Sequence, residues 1–189
     1  MNYNKHFNFL KNLPKKLNNF YKKKSKFNFK VDNKSKNIKD FDPVTNLDRG
    51  FEEYIRSLIH KSFLDDSIIG EEFEDKFSSS DFQWCIDPID GTRAFIIGAP
   101  TWSNLIGLSF KDKSVIGLAN FPELNKYYIS DQKKSYVVKN KKKSILKSSK
   151  NKDLKKIKII GNFHGTLSYE KQKKIIKKFG WSFRLAGFD

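Results

Sequence analysis

At 189 residues, with 38% hydrophobic and 15% aromatic side chains, the chain is long enough to bury a core and too apolar for a disordered polymer. The single cysteine, Cys85, excludes an internal disulfide; no run approaches the roughly 18 apolar residues of a membrane span; and Met1 to Leu10 lacks the apolar core of a secretion signal, so the chain reads as soluble and cytoplasmic. Its net charge of +17 is carried by the ends, +10 over residues 1–40 and +14 over 131–189, around an acidic middle of −7 over 41–130. Only four of the basic residues are Arg, the side chain that base edges and stacking favour, so a solvated Lys surface is preferred to a nucleic-acid partner.

Phe7, Leu10, Leu17, Phe20 and Tyr21 recur at roughly helical spacing across Pro14, which predicts one kinked helix or two short ones. Phe27, Phe29 and Val31 alternate with polar residues as a strand does, and a polar loop follows from Asp32 to Phe41. From Asp42-Pro43-Val44-Thr45-Asn46-Leu47-Asp48 the chain enters an amphipathic helix with Leu47, Phe51, Tyr54, Ile55, Leu58, Ile59 and Phe63 on one face. Thr45 is the expected N-cap and Asp48 its capping-box partner. Ser67 to Gly70 forms a short apolar strand that ends at Glu71 and Glu72. Trp84, Cys85 and Ile86 read as a buried strand, with Cys85 a core residue rather than a nucleophile because no basic partner is adjacent. Asn104–Phe110, Val115–Ala119, Lys126–Ser130 and Ser135–Lys139 read as four strands of an antiparallel sheet. Lys139 to Lys156 has little apolar content and marks a loop or boundary, after which Ile157–Ile160 opens a strand and Tyr169–Phe179 a helix. The expected division is an N-terminal α+β domain over residues 1–152, carrying the acidic motifs, and the start of an incomplete α/β domain over 153–189.

The chemistry concentrates in Trp84-Cys85-Ile86-Asp87-Pro88-Ile89-Asp90-Gly91-Thr92. Asp87 stands where the strand leaves the core, Pro88 fixes the exit, and Asp90 can turn toward the same point. Two converging carboxylates are costly without a cation between them, and hard oxygen donors select Mg²⁺ or Mn²⁺. Gly91 lets the backbone approach a ligand closely, and the Thr92 N–H is placed to point outward at a phosphate. Asp48, the Glu71–Glu72 pair and Asp87 with Asp90 each end a strand or open a helix, so they can meet at one sheet edge. Paired metals about 3.5–4 Å apart would activate a water there for attack on a phosphate ester, with Thr92 and Asp48 holding that water. Each element also has a plainer reading: a helix cap, a solvated turn, an Asp-Pro turn. Trp102 reads as core, and His6, His60 and His164 as unremarkable. Arg93 stands evenly between phosphate contact and solvated surface.

In these residues the chain resembles the inositol monophosphatase superfamily of Mg²⁺-dependent phosphatases, through DPVTNLD at 42–48, GEE at 70–72 and WCIDPIDGT at 84–92. The continuation Arg93-Ala94-Phe95-Ile96, then Gly98-Ala99-Pro100-Thr101-Trp102, resembles the histidinol-phosphatase branch, as does Phe121-Pro122-Glu123-Leu124. The resemblance implies a layered αβαβα sandwich of the α/β (α+β) class and two or three Mg²⁺ ions per site, with Mn²⁺ an alternative. It implies metal ligation by Glu71, Asp87, the Ile89 carbonyl and Asp90, and activation of water by Asp48 and Thr92, with Glu72 behind the ligands. Asp90, Gly91, Thr92 and Arg93 would face the substrate. It further implies a homodimer acting on a small phosphorylated metabolite, first of all L-histidinol phosphate in histidine biosynthesis. Inositol 1-phosphate or a 3'(2'),5'-bisphosphate nucleotide is the alternative substrate within the superfamily, and an inactive shortened remnant the alternative outside catalysis. The sequence from Arg184 to Asp189 resembles the start of a family segment whose later Trp-Asp carboxylate completes the second metal site, so an incomplete second domain is expected, and Asp189 does not take that role.

Overall fold

The structure is a computed structural model that describes residues 3–24, 29–35, 43–150, 152–153 and positions 170, 171, 173, 174 and 177. The chain divides after Leu146 into two compact units, Met1–Leu146 and Lys147–Asp189. In the second unit, Glu170, Lys171, Lys173, Lys174 and Lys177 are helical, within the span expected to be a helix. The expected strand at Ile157–Ile160, His164, Asp189 and Asp42 of the first acidic motif lie outside the described residues.

The first unit is built on a seven-stranded sheet of order β3-β4-β5-β6-β7-β8-β9. Its strands are β3 (Ser67–Gly70), β4 (Phe82–Asp90), β5 (Ser103–Phe110), β6 (Lys113–Phe121), β7 (Lys126–Ser130), β8 (Ser135–Lys139) and β9 (Lys142–Ile145). Only β3 and β4 run parallel; every later pair is antiparallel. A separate antiparallel pair joins β1 (Val31–Asn33) to β2 (Pro43–Thr45). Two helices supply apolar cover: α1 (Asn4–Lys24), through Leu10, Leu13 and Leu17, and α2 (Asn46–Ser62), through Phe51, Ile55 and Ile59. They share a core with Trp84 and Ile86 of β4, Ile106 and Leu108 of β5, and Ile116 and Leu118 of β6. These positions fall at period two, as one covered face of a pleated sheet demands. Among the described residues no helix is long and apolar enough to cross a membrane.

Of the two alternatives at the N-terminus the chain takes the single helix: Pro14 lies inside α1, buried on the same stripe as Leu10, Leu13 and Leu17, and that packing holds the helix together across the hydrogen bond Pro14 cannot make. Other outcomes differ from the sequence reading. Cys85 is exposed rather than core, because its neighbours Trp84 and Ile86 occupy the covered face and alternation sends it to the other. Lys142–Ile145 forms a strand within the expected loop, joined to β8 through Asn140 and Lys141, both at positive φ. That is the backbone a tight hairpin requires, and Asn tolerates it well. His6, read as unremarkable, is buried: its ring stacks between Phe63 and Phe82, and its Nε2 lies 3.2 Å from Asp66, which also accepts from Trp84 Nε1 at 2.9 Å.

Candidate active site

The parallel pair sets the geometry. Its register matches Gly70 with Ile86, so the residues that follow, Glu71 just past the end of β3 and Asp87 still within β4, come side by side. On the other flank of β4 the register with β5 runs regularly to Asp87 opposite Leu105, then resumes at Asp90 opposite Ser103. One extra residue is thus accommodated in β4, a bulge containing Pro88 and Ile89 that re-aims the strand end. Ser103 Oγ donates to Asp90 Oδ2 at 3.2 Å. Gly91 follows at φ 84°, a left-handed conformation that glycine adopts without penalty, and the short helix α3 (Thr92–Ile96) begins there. Thr92 Oγ1 turns back between two acceptors, the Ile89 carbonyl at 3.1 Å and Asp48 Oδ1 at 3.4 Å.

Asp48 reaches this point from the first turn of α2, where it also closes the capping box. Thr45 N donates to Asp48 Oδ2 at 2.8 Å, the Thr45 hydroxyl donates to the same oxygen, and Asp48 N donates back to Thr45 Oγ1 at 3.4 Å. The cap and the site are therefore one carboxylate with two oxygens, Oδ2 engaged with the helix and Oδ1 facing Thr92. Burial raises the Asp48 carboxyl above its usual range, against the lowering effect of the Thr45 hydrogen bonds.

The Glu71–Glu72 turn is held from behind by residues the sequence reading passed over. Glu52, fully buried on α2, accepts from Arg56 Nε at 2.8 Å and from the Glu72 backbone N–H at 2.8 Å. A Cβ on Gly70 would stand 2.0 Å from Glu52 Oε1, so glycine is required for this close approach. Asp48, Glu52 and Arg56 at four-residue intervals form a polar stripe beside the apolar face of α2, which is the pattern that could have revealed them. The second omission is Lys34, whose ammonium lies 2.9 Å from Glu71 Oε1 and 2.6 Å from Glu72 Oε1. In a chain this rich in Lys nothing marks it out. Burial works to lower the Lys34 pKa, but its hydrogen bonds to Glu72 and Glu71 leave it raised overall. Glu72, whose side chain is 3% exposed against 46% for Glu71, is raised by burial despite that ammonium.

Asp87 adjoins these carboxylates, its side chain meeting that of Glu71. Burial first, then the charges of Glu71, Asp90 and Asp48, push its carboxyl from 3.8 to about 7. Its Oδ1 is buried and has no hydrogen-bond partner among the described residues. A desolvated oxygen amid like charges is the donor chemistry that a divalent cation satisfies, so the residues fit a metal. Among the described residues no three His, Cys, Asp or Glu side chains stand together as a ready-made metal nest. Glu71 is instead turned to Lys34, Asp90 to Ser103 and Asp48 to Thr45. Of the other candidates, Arg93 is exposed on α3, while Trp102 packs in the core against Phe95 and Tyr21.

Several known proteins are similar to this chain in sequence or in fold. A histidinol-phosphatase of Chlorobaculum parvum is 43% identical over 94 residues, covering 50% of this chain and 36% of that protein. A fructose-1,6-bisphosphatase/inositol-1-monophosphatase of Aquifex aeolicus is 37% identical over 93 residues, 49% of this chain and 34% of its own. The match thus spans about a third of the length of these curated relatives. Inositol monophosphatase II of Staphylococcus aureus shares the fold, with a TM-score of 0.72 at 20% identity over 96% of this chain and 65% of that one. The inositol monophosphatase family model matches residues 4–181, and the chain belongs to that family of metal-dependent phosphatases.

Proposed function

We propose that this site hydrolyses a phosphomonoester, with L-histidinol phosphate as the substrate and L-histidinol and phosphate as the products. The observation that carries the reading is the pairing of Gly70 with Ile86, which sets Glu71 beside an Asp87 whose carboxyl is raised to about 7. Glu71, Asp87, the Ile89 carbonyl and Asp90 would hold Mg²⁺, or Mn²⁺ in its place, which when bound neutralises phosphate charge and lowers the pKa of a water. Asp48 is suited to receive a proton through Thr92, since its Oδ1 faces the Thr92 hydroxyl at 3.4 Å and burial makes it a stronger base than a solvated carboxylate. Glu71 shares in that activation from the ligand side. The backbone N–H groups of Gly91 and Thr92 bind the phosphate oxygens, Asp90 orients the ester and Arg93 adds positive charge at the rim. The substrate assignment is supported by the run from Arg93 to Trp102 and by the relative from Chlorobaculum parvum.

Domains at 1–152 and 153–189, a homodimer and a cytoplasmic location belong to the same reading, the last supported by the lone Cys85. The Aquifex aeolicus relative favours a second substrate class, inositol phosphates. Side-by-side turnover of L-histidinol phosphate, inositol 1-phosphate and a 3'-phosphorylated nucleotide with Mg²⁺ separates them. Equal rates would defeat the substrate assignment, and phosphate release surviving Asp90→Asn would defeat the site.

A further inference from the structure

Three asparagines interrupt the apolar packing between helix and sheet. Asn104 of β5 and Asn120 of β6 are direct cross-strand partners, and both are fully buried. Each continues an otherwise apolar row, Ile106 and Leu108 on one strand, Ile116 and Leu118 on the other. Asn104 Nδ2 donates to the Pro88 carbonyl at 2.6 Å, and Asn120 Nδ2 donates to Asn104 Oδ1 at 2.9 Å and to Asn18 Oδ1 of α1 at 2.9 Å. The polarity of this chain of amides follows from its end point. A backbone carbonyl can only accept, so Asn104 must present its NH₂ group to Pro88 and its oxygen to Asn120, which must then donate.

The end point is the bulge of β4, inside the gap between Asp87 and Asp90 where the ladder to β5 is interrupted. The ring of Pro88 fixes φ, which leaves ψ as that residue's one soft dihedral, and ψ sets where its carbonyl points. A hydrogen bond that holds the carbonyl therefore holds the peptide plane between the two carboxylates. The arrangement is not an economical way to fill a core. Two amides are fully desolvated, and Asn120 Oδ1 has no partner among the described residues, a cost that apolar side chains would not carry.

We propose that Asn104, Asn120 and Asn18 form an amide relay that clamps the Pro88 carbonyl and thereby sets the orientation of Asp87 and Asp90 relative to one another at the end of β4. Asn104 and Asn120 are positioning residues for the cation-holding end of the site, a role that rests on the phosphatase reading above.

The test uses the full chain, with chelator and with Mg²⁺. In Asn104→Leu and Asn120→Leu, hydrogen exchange at the amides of Ile89, Asp90 and Gly91 should quicken about fivefold, the worth of one net hydrogen bond. The Mg²⁺ dissociation constant, read by calorimetric titration, should rise by about the same factor, while the melting temperature of the metal-free chain does not fall in step. Unchanged exchange at those three amides overturns the proposal. So does faster exchange spread over the whole sheet with a parallel fall in melting temperature, which a merely structural pair would give. Should Asn104→Leu fail to fold, Asn18→Leu at the half-exposed far end decides on the same local readout. A parent chain that binds no Mg²⁺ defeats the cation reading, and the exchange of Ile89 to Gly91 still decides the relay.

Discussion

Replacing Asp87 by Asn should stabilise the metal-free chain at neutral pH and remove its response to divalent cations. The Asp87 carboxyl is pushed from 3.8 to about 7, by burial and then by the charges of Glu71 and Asp90. In the unfolded chain an Asp titrates near 3.9, so between about pH 4 and pH 7 the folded protein holds a proton that the unfolded one has lost. Stability from this group therefore falls as pH rises through that window, and the penalty is complete above it. About three pH units at roughly 1.4 kcal/mol each sets a ceiling near 4 kcal/mol, which solvent screening of a half-exposed side chain cuts to on the order of 2 kcal/mol. Asn has the same shape and no charge. Asp87→Asn should then exceed the parent by about 2 kcal/mol near pH 8 and match it near pH 4, in urea unfolding with chelator present. Saturating Mg²⁺ should stabilise the parent, more strongly as pH rises because the bound carboxylate must be ionised, and leave the variant unmoved. A variant less stable than the parent near pH 8, or one that Mg²⁺ stabilises as it does the parent, would refute the assignment of Asp87 as the strained ligand.

Gly70→Ala drives a methyl into the buried Glu52–Arg56 pair and should cost about 2–3 kcal/mol in urea unfolding; a loss below about 0.5 kcal/mol would show that the pair yields easily. Thr45→Ala removes the side-chain half of the capping box and should cost about 1–2 kcal/mol, with Thr45→Ser recovering most of it in the same assay. Lys34→Met takes away the ammonium that competes for Glu71, so titration calorimetry should show Mg²⁺ binding several-fold tighter, on the order of 1 kcal/mol. Weaker binding there would mean that Lys34 holds the carboxylates in place rather than competing for them.

The parts of this fold that bury one face were legible before the structure. Asn104–Phe110 and Val115–Ala119 fall within β5 and β6, whose burial alternates along the strand, and α2 follows its apolar stripe and its Thr45 cap. β9 was not legible, because all four of its residues are exposed and no alternation of burial is imposed on them. For the site, the sequence shows which carboxylates stand near turns but not what pairs with them. Lys34 meets Glu71 and Glu72 across the fold, and Asn104 reaches the Pro88 carbonyl from the neighbouring strand, at the bulge. Partners of this kind depend on how distant segments align, and local periodicity carries no record of that.

Parallel neighbours ordinarily need a long helical crossover, yet β3 and β4 are joined by residues 71–81 alone. Lys76 in that link folds back to pair with Ile68, capping the outer rim of β3. Because Glu71 and Glu72 belong to this same short link, closing the β3–β4 pair also brings the Glu71 backbone beside Asp87. A cation added to the folded chain therefore has side chains to turn, Glu71 away from Lys34 foremost, rather than strands to rearrange.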